Sequence, residues 1–278
     1  MTVGEALKQM RLQAGLTQTE MTAGVVSESF YSKIERGVHG VDVQVLINIL
    51  SAHHMDVVHF FSLLNFQKSE TEPNFEIINQ ISFAQNKKDI SALDKIKKEL
   101  ENLGGGKMPF YLRFRLENAY AWIYHSNRFV SGAMKQKIKS VILDENWNRP
   151  AYHYLSQAVV MLDINESFYL VKSAFKAYEK NKENDTFTLQ FVALIAVNYL
   201  NCCYHQKADK EYAQVAIDFL KTLPVDPVIG FYRIIGTYYE AVFSNNTKIR
   251  DMIIEILKKI NYYSLIQDTV EDIKETVK

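Results

Sequence analysis

Gly15-Leu16-Thr17-Gln18-Thr19-Glu20-Met21, followed by Ser27-Glu28-Ser29-Phe30-Tyr31-Ser32-Lys33-Ile34-Glu35-Arg36-Gly37, encodes two short helices, a tight turn and a glycine stop. Thr17 is a good N-cap. Glu20 three residues later completes a capping box, so a helix runs from Gln18 to about Ala23. Gly24 lets the chain turn, because it tolerates the left-handed backbone. Ser27 then caps a helix that turns Tyr31 and Ile34 inward and Glu28, Ser29, Ser32 and Lys33 outward, and Gly37 ends it. Upstream, Val3, Leu7 and Met10 recur at helical spacing over residues 3 to 14, which makes this an amphipathic helix rather than a signal sequence. Downstream, helices over 42–52 and 56–64 supply Val45, Leu46, Ile49, Leu50, Val57, Phe60 and Phe61 to a small five-helix core.

In a helix-turn-helix the second helix of the motif enters the major groove. Glu28, Ser29 and Lys33 are the base-reading candidates, since lysine can donate to guanine and glutamate can accept from cytosine. Ser27 joins that face at its cap, Ser32 and Phe30 are lesser base-reading candidates, and Arg36 is a phosphate candidate. Gln18 stands at a helix start, where it can join backbone N–H groups on a phosphate. Arg11 and Glu35 fall where the first and third helices meet, which suits a structural ion pair. Counting residues 1–64, Lys8, Arg11, Lys33 and Arg36 stand against Glu5, Glu20, Glu28, Glu35, Asp42 and Asp56, or 4 − 6 = −2. An acidic reader lacks non-specific affinity for phosphates, so DNA binding by this domain requires a dimer. His39, His53, His54 and His59 lie in the same segment, and their protonation near pH ~6.5 would move the charge to about +2 and assist DNA binding at low pH.

Over residues 3–64 the chain resembles phage-repressor-like helix-turn-helix domains, through Arg11, Gly15-Leu16-Thr17-Gln18 and the run from Ser27 to Gly37. The full layout resembles the Rgg/MutR family of Gram-positive regulators, as does Asn146-Trp147 after the apolar Val141-Ile142-Leu143. That resemblance implies a cytoplasmic transcription regulator, homodimeric on double-stranded promoter DNA. It also implies control by a short signalling peptide, as in quorum sensing, bound to a helical repeat domain.

The rest of the sequence supports two all-α units. At 278 residues the chain exceeds one small domain, and 65–74 is polar with a proline, which places a linker between 1–64 and 75–278. Helices are expected over 75–85, 89–103, 109–126, 129–143, 149–162, 164–181, 185–203, 208–222, 228–243, 246–260 and 262–276. In pairs they repeat every ~37 to 40 residues, the period of a right-handed tetratricopeptide-like solenoid of about five helix pairs and a terminal helix. On its inner helices, Arg115, Asn118, Asn148, Arg149, Tyr152, Asn198, Asn201, Arg233 and Tyr238 are the peptide-binding candidates. An asparagine amide offers a donor and an acceptor to an extended backbone, and an arginine can hold a carboxylate.

Composition narrows the alternatives. The 32 basic and 32 acidic residues balance, and the apolar run at Phe191–Leu200 is too short to span a bilayer, so no membrane role is expected. Cys202 and Cys203 are adjacent and give no disulfide framework. The glycine-rich loop at Gly104–Gly106 lacks phosphate-loop spacing, the histidines lack companion ligands for a metal, and no nucleophile motif stands out, so neither a cofactor nor an enzyme is expected. Two other readings remain: a peptide-independent regulator that uses its repeats to dimerise, and an adaptor whose N-terminal unit no longer binds DNA.

Overall fold

The computed structural model describes residues 1–64, 72–103, 108–144, 147–181 and 185–276. The chain forms two compact units, Met1–Pro73 and Asn74–Lys278. Most of the expected linker, the Gly104–Gly106 loop and Asn146 lie outside the described residues.

The first unit contains α1 (Val3–Gln13), α2 (Gln18–Thr22), α3 (Glu28–Glu35), α4 (Val43–Ala52) and α5 (Val57–Leu63). Each begins on a polar cap: Thr2, Thr17, Ser27, Asp42 and Asp56 accept bonds from first-turn N–H groups that would otherwise lack partners. Ala6, Leu7, Met10, Met21, Tyr31, Ile34, Leu46, Ile49, Leu50 and Phe60 form the core. The helix expected to reach Ala23 stops at Thr22, because the left-handed turn spans both Ala23 (φ 45°) and Gly24 (φ 74°). Gly4 permits α1 to cross the end of α3: a Cβ there would stand 2.1 Å from the Ile34 carbonyl oxygen.

The second unit pairs α6 (Glu72–Asn86) with α7 (Ile90–Leu103), α8 (Phe110–Ile123) with α9 (Gly132–Asp144), and α10 (Arg149–Ala158) with α11 (Ile164–Lys180). It continues with α12 (Thr186–His205) and α13 (Lys210–Thr222), then α14 (Gly230–Phe243) and α15 (Thr247–Lys259), and ends on α16 (Gln267–Thr276). Thus the expected all-α solenoid of five pairs and a terminal helix is the fold observed, with α6 starting three residues earlier, inside the segment read as linker. Helices expected at 129 and 262 begin later, behind 3-10 turns at Asn127–Phe129 and Tyr263–Leu265. Helix α12 runs 20 residues, longer than the apolar run noted in the sequence, and its most apolar 18-residue stretch has a mean hydropathy of 1.4 and is 61% buried within the unit. It is the helix around which the neighbours pack. Cys202 and Cys203 are buried on it, and burial pushes the Cys203 thiol up to about 12.

Helix α16 closes the unit against the ends of earlier helices. Lys88 and His125, left-handed residues that end α6 and α8, both bond Asp268, His125 at 2.8 Å. The His125 and His205 rings stack 3.7 Å apart, and His205 Nδ1 lies 3.4 Å from Asp272. Burial, then the neighbouring His125, pushes His205 down to about 3 from 6.5. The His125 bond and Lys88 hold Asp268 below the usual carboxylate range despite its burial. Both folded-state values are depressed, so the unfolded chain binds more protons and stability is lost as the pH is lowered. For His205 that window runs from about 6.5 down to 3; for Asp268 it begins near 3.8. Thermal unfolding should therefore move to lower temperature between pH 7 and 5, and His205→Asn should flatten that slope. An unchanged slope in the variant would contradict the assignment.

Candidate functional site

The geometry of the N-terminal unit is set by one buried ion pair. Arg11 Nε donates to Glu35 Oε1 at 2.6 Å and Nη2 to Glu35 Oε2 at 3.1 Å, with 10% and 2% of the two side chains exposed. Arg11 Nη1 also donates to the Leu16 carbonyl at 2.8 Å, and Gln18 Nε2 donates to Glu35 Oε2 at 2.7 Å. One guanidinium and one carboxylate thereby connect α1, the following turn, α2 and the end of α3. Burial opposes the charge on Glu35, but the bonds from Arg11 and Gln18 outweigh it and keep its pKa below the ordinary value.

This network presents α3 outward. Ser27, Glu28, Ser29 and Arg36 are exposed, and Ser32 and Lys33 are partly exposed on the same helix. The Ser27 hydroxyl accepts the Phe30 N–H at 3.3 Å, which makes it a cap first. Glu28 accepts from Thr19 Oγ1 at 2.5 Å, a tie between α2 and α3 that no local sequence pattern signals. Gln18, the phosphate candidate, is partly exposed and commits one amide proton to Glu35, which ties the start of α2 to the buried network. Phe30 is half-buried beside His39, at 5.8 Å between rings, and His53 Nε2 lies 3.2 Å from the Met21 carbonyl.

The acidic balance of this unit has a local explanation. Glu5 and Glu20 complete capping boxes with Thr2 and Thr17, and the backbone N–H groups they accept hold both pKa values low. Asp42 and Asp56 cap α4 and α5, Glu28 takes the Thr19 hydroxyl, and Glu35 takes Arg11. All six carboxylates thus hold the fold together, and five of them, all but Glu35, stand at the positive ends of helices.

On the repeat unit, several of the peptide-binding candidates make internal ties. Asn118 is buried and donates to the Gln157 carbonyl at 2.6 Å, Asn198 donates to the Ser156 carbonyl at 2.8 Å, and Asn201 donates to the Tyr239 hydroxyl at 2.7 Å. These amides satisfy groups between consecutive first helices, each through one of its donors, and Asn201 Oδ1 is buried without a partner. Tyr152 and Tyr238 are buried in the core, and Asn148 caps α10 through the Ala151 N–H. Arg233 donates to the Leu223 and Pro224 carbonyls beyond α13. Arg149 lies 3.4 Å from Asp185 and over the Phe187 ring. Arg115 is the exception, with only uncharged partners in Gln157 and Ser82.

Comparison with known proteins agrees with this architecture. Residues 2–60 match the family model described as a helix-turn-helix domain. The whole chain is similar in fold to the Streptococcus dysgalactiae SHP pheromone receptor Rgg2, with a TM-score of 0.71 and 14% identity over 99% of this chain and 100% of that one. It is also similar to a bacterial peptide pheromone/receptor complex (TM-score 0.67, 18% identity, 98% and 97% covered) and to PrgX in complex with cCF10 (0.66, 16%, 98% and 98%). The layout expected from the Rgg/MutR resemblance is therefore the layout found. No curated protein sequence matches the chain.

The buried pair makes a quantitative demand. Removing one member of a buried ion pair leaves the other charge uncompensated, at a cost of roughly 3–5 kcal/mol. Arg11→Leu should destabilise the N-terminal unit by about that amount, read as faster hydrogen exchange at α1 and α3 amides of the full chain. The double variant Arg11→Leu/Glu35→Leu should recover most of it, and equal losses in single and double variants would contradict the role given to the pair.

Proposed function

We propose that the protein is a cytoplasmic transcription regulator that binds promoter DNA as a homodimer through α3, under the control of a short signalling peptide held against the first helices of its repeat unit. The observation that carries this reading is α3 itself. Its buried side is fixed by Tyr31, Ile34 and Glu35, while Glu28, Ser29 and Arg36 are exposed and Lys33 half-exposed on the other side. Such a rigid, outward helix with a short donor-and-acceptor row is what a major groove accommodates. The N-terminal family match supports DNA binding. The peptide part is supported by fold similarity to proteins described as a pheromone receptor and as pheromone complexes.

Dimerisation follows from charge. With Lys33 and Arg36 as the cations of this helix, one copy makes few phosphate contacts, and two copies double them. The capping roles of the carboxylates explain the negative sum without loss of DNA binding, which favours a regulator over an adaptor. In this reading a peptide alters DNA binding only if it prefers one arrangement of the dimer over another.

Fluorescence anisotropy on duplexes from the promoters beside its own gene tests the DNA arm. Lys33→Ala should weaken binding by about 1–3 kcal/mol if it reads a base, and Arg36→Ala should weaken all sequences alike with a shallower salt dependence. Wild-type affinity in the combined Ser29→Ala/Lys33→Ala variant, with folding intact, would exclude α3 as the reader.

A further inference from the structure

Arg115 is a cation set into the repeat unit without a counter-ion. Its Nη1 donates to Gln157 Oε1 and its Nη2 to Ser82 Oγ, both at 2.9 Å, while Nε is buried with no partner. Among the described residues no carboxylate lies within salt-bridge reach of it, and burial lowers its pKa. The uncharged partners are themselves committed. The Ser82 hydroxyl donates to the Ile78 carbonyl at 2.9 Å, and Gln157 Nε2 lies 2.7 Å from His153 Nε2, which accepts its N–H in the neutral ring. Burial, then Arg115, lowers the pKa of His153, so it stays neutral beside the guanidinium. Three elements, α6, α8 and α10, thus orient this arginine without cancelling its charge.

A charge drawn partly out of water is ordinarily paired, and the other arginines expected on this face have carboxylate or carbonyl partners. Arg149 has Asp185, and Arg233 has backbone carbonyls. Tyr111 interacts electrostatically with Arg115, and the helices that hold Arg115 carry further rings: Tyr154 stacks on Phe114 at 4.7 Å and on Phe110 at 6.5 Å, and Phe191 packs on His153 at 4.8 Å. Phe110 and Tyr111 are partly open to solvent. A fixed, uncompensated guanidinium next to exposed rings suits an anionic group carried on an apolar chain.

We propose that Arg115, oriented by Ser82 and Gln157, is the seat for the terminal carboxylate of a peptide whose last side chains lie on the Phe110, Tyr111 and Tyr154 rings. The inference rests on the peptide part of the proposed function and deepens it by specifying which end of the ligand is read and by which residue. A carboxylate forms two parallel N–H···O bonds with a guanidinium, so an amide at the same place loses both charge and geometry.

The test uses the full-length protein and three probes: N-acetyl-leucyl-leucine as the free acid, the same dipeptide as its amide, and N-acetyl-aspartyl-leucine amide, whose only carboxylate is on a side chain. Binding is read by titration calorimetry and by the NMR titration of the His153 ring. The free acid should bind at least about tenfold tighter than either amide, as expected for a charge-assisted bond, and should raise the pH at which His153 titrates. Arg115→Gln should erase the preference, and Arg115→Lys should keep part of it. Equal binding of acid and amide, no binding of the acid, a preference surviving in Arg115→Gln, or a stronger aspartyl probe would each overturn the proposal. If acid and amide bind equally to wild type and variant alike, the seat is lost while peptide binding stands, so the two readings are separable.

Discussion

The N-terminal unit depends on a charge that has almost no access to water. Arg11 and Glu35 lie 24 positions apart, yet their side chains meet at 2.6 Å and draw in Leu16 and Gln18. A pair this buried contributes little net stability relative to an apolar replacement, but it is intolerant of error, because either group alone is strongly unfavourable. Its consequence is orientation. With Glu35 at the end of α3 fixed to α1, and Gly4 letting the two backbones approach, the outer row of α3 has one allowed direction.

Around that pair the remaining charges are used economically. Carboxylates sit at helix starts, where N–H groups lack partners, and the cations Lys33 and Arg36 remain on the exposed side of α3. The formal charge of −2 therefore describes how the helices are capped and says little about the surface that would meet DNA. In the repeat unit the same economy holds in another form: asparagines join neighbouring first helices, and Asp268 gathers Lys88 and His125 from distant turns.

The helices and their starts were legible because caps and apolar periodicity are local signals. Thr17 with Glu20, Ser27 with the run to Gly37, and the stripe Val3, Leu7, Met10 fix their elements within a few residues. Helix ends were harder to read, since Lys88, His125 and Lys207 take left-handed positions where glycine is the usual sign. The Arg11–Glu35 contact could be inferred from the motif, whereas the Gly4 approach and the His125–His205 stack depend on tertiary packing alone. The internal bonds of the asparagines were not legible for a physical reason: an amide equipped to satisfy a ligand backbone satisfies a neighbouring helix equally well. Arg115 stands apart only once its partners are known to be neutral.

The most direct measurement of the account is site-directed crosslinking from α3 to promoter DNA. The native thiols Cys202 and Cys203 are buried, so a photoreactive label on Ser29→Cys would be selective. Crosslinks should map to major-groove base edges in two half-sites spaced by about one helical turn of DNA or a multiple of it, while the same label on Val58→Cys in α5 should give none. Crosslinking of equal strength from both positions, or none from Ser29→Cys on any promoter fragment that the protein retains, would contradict the assignment of α3 as the reading helix.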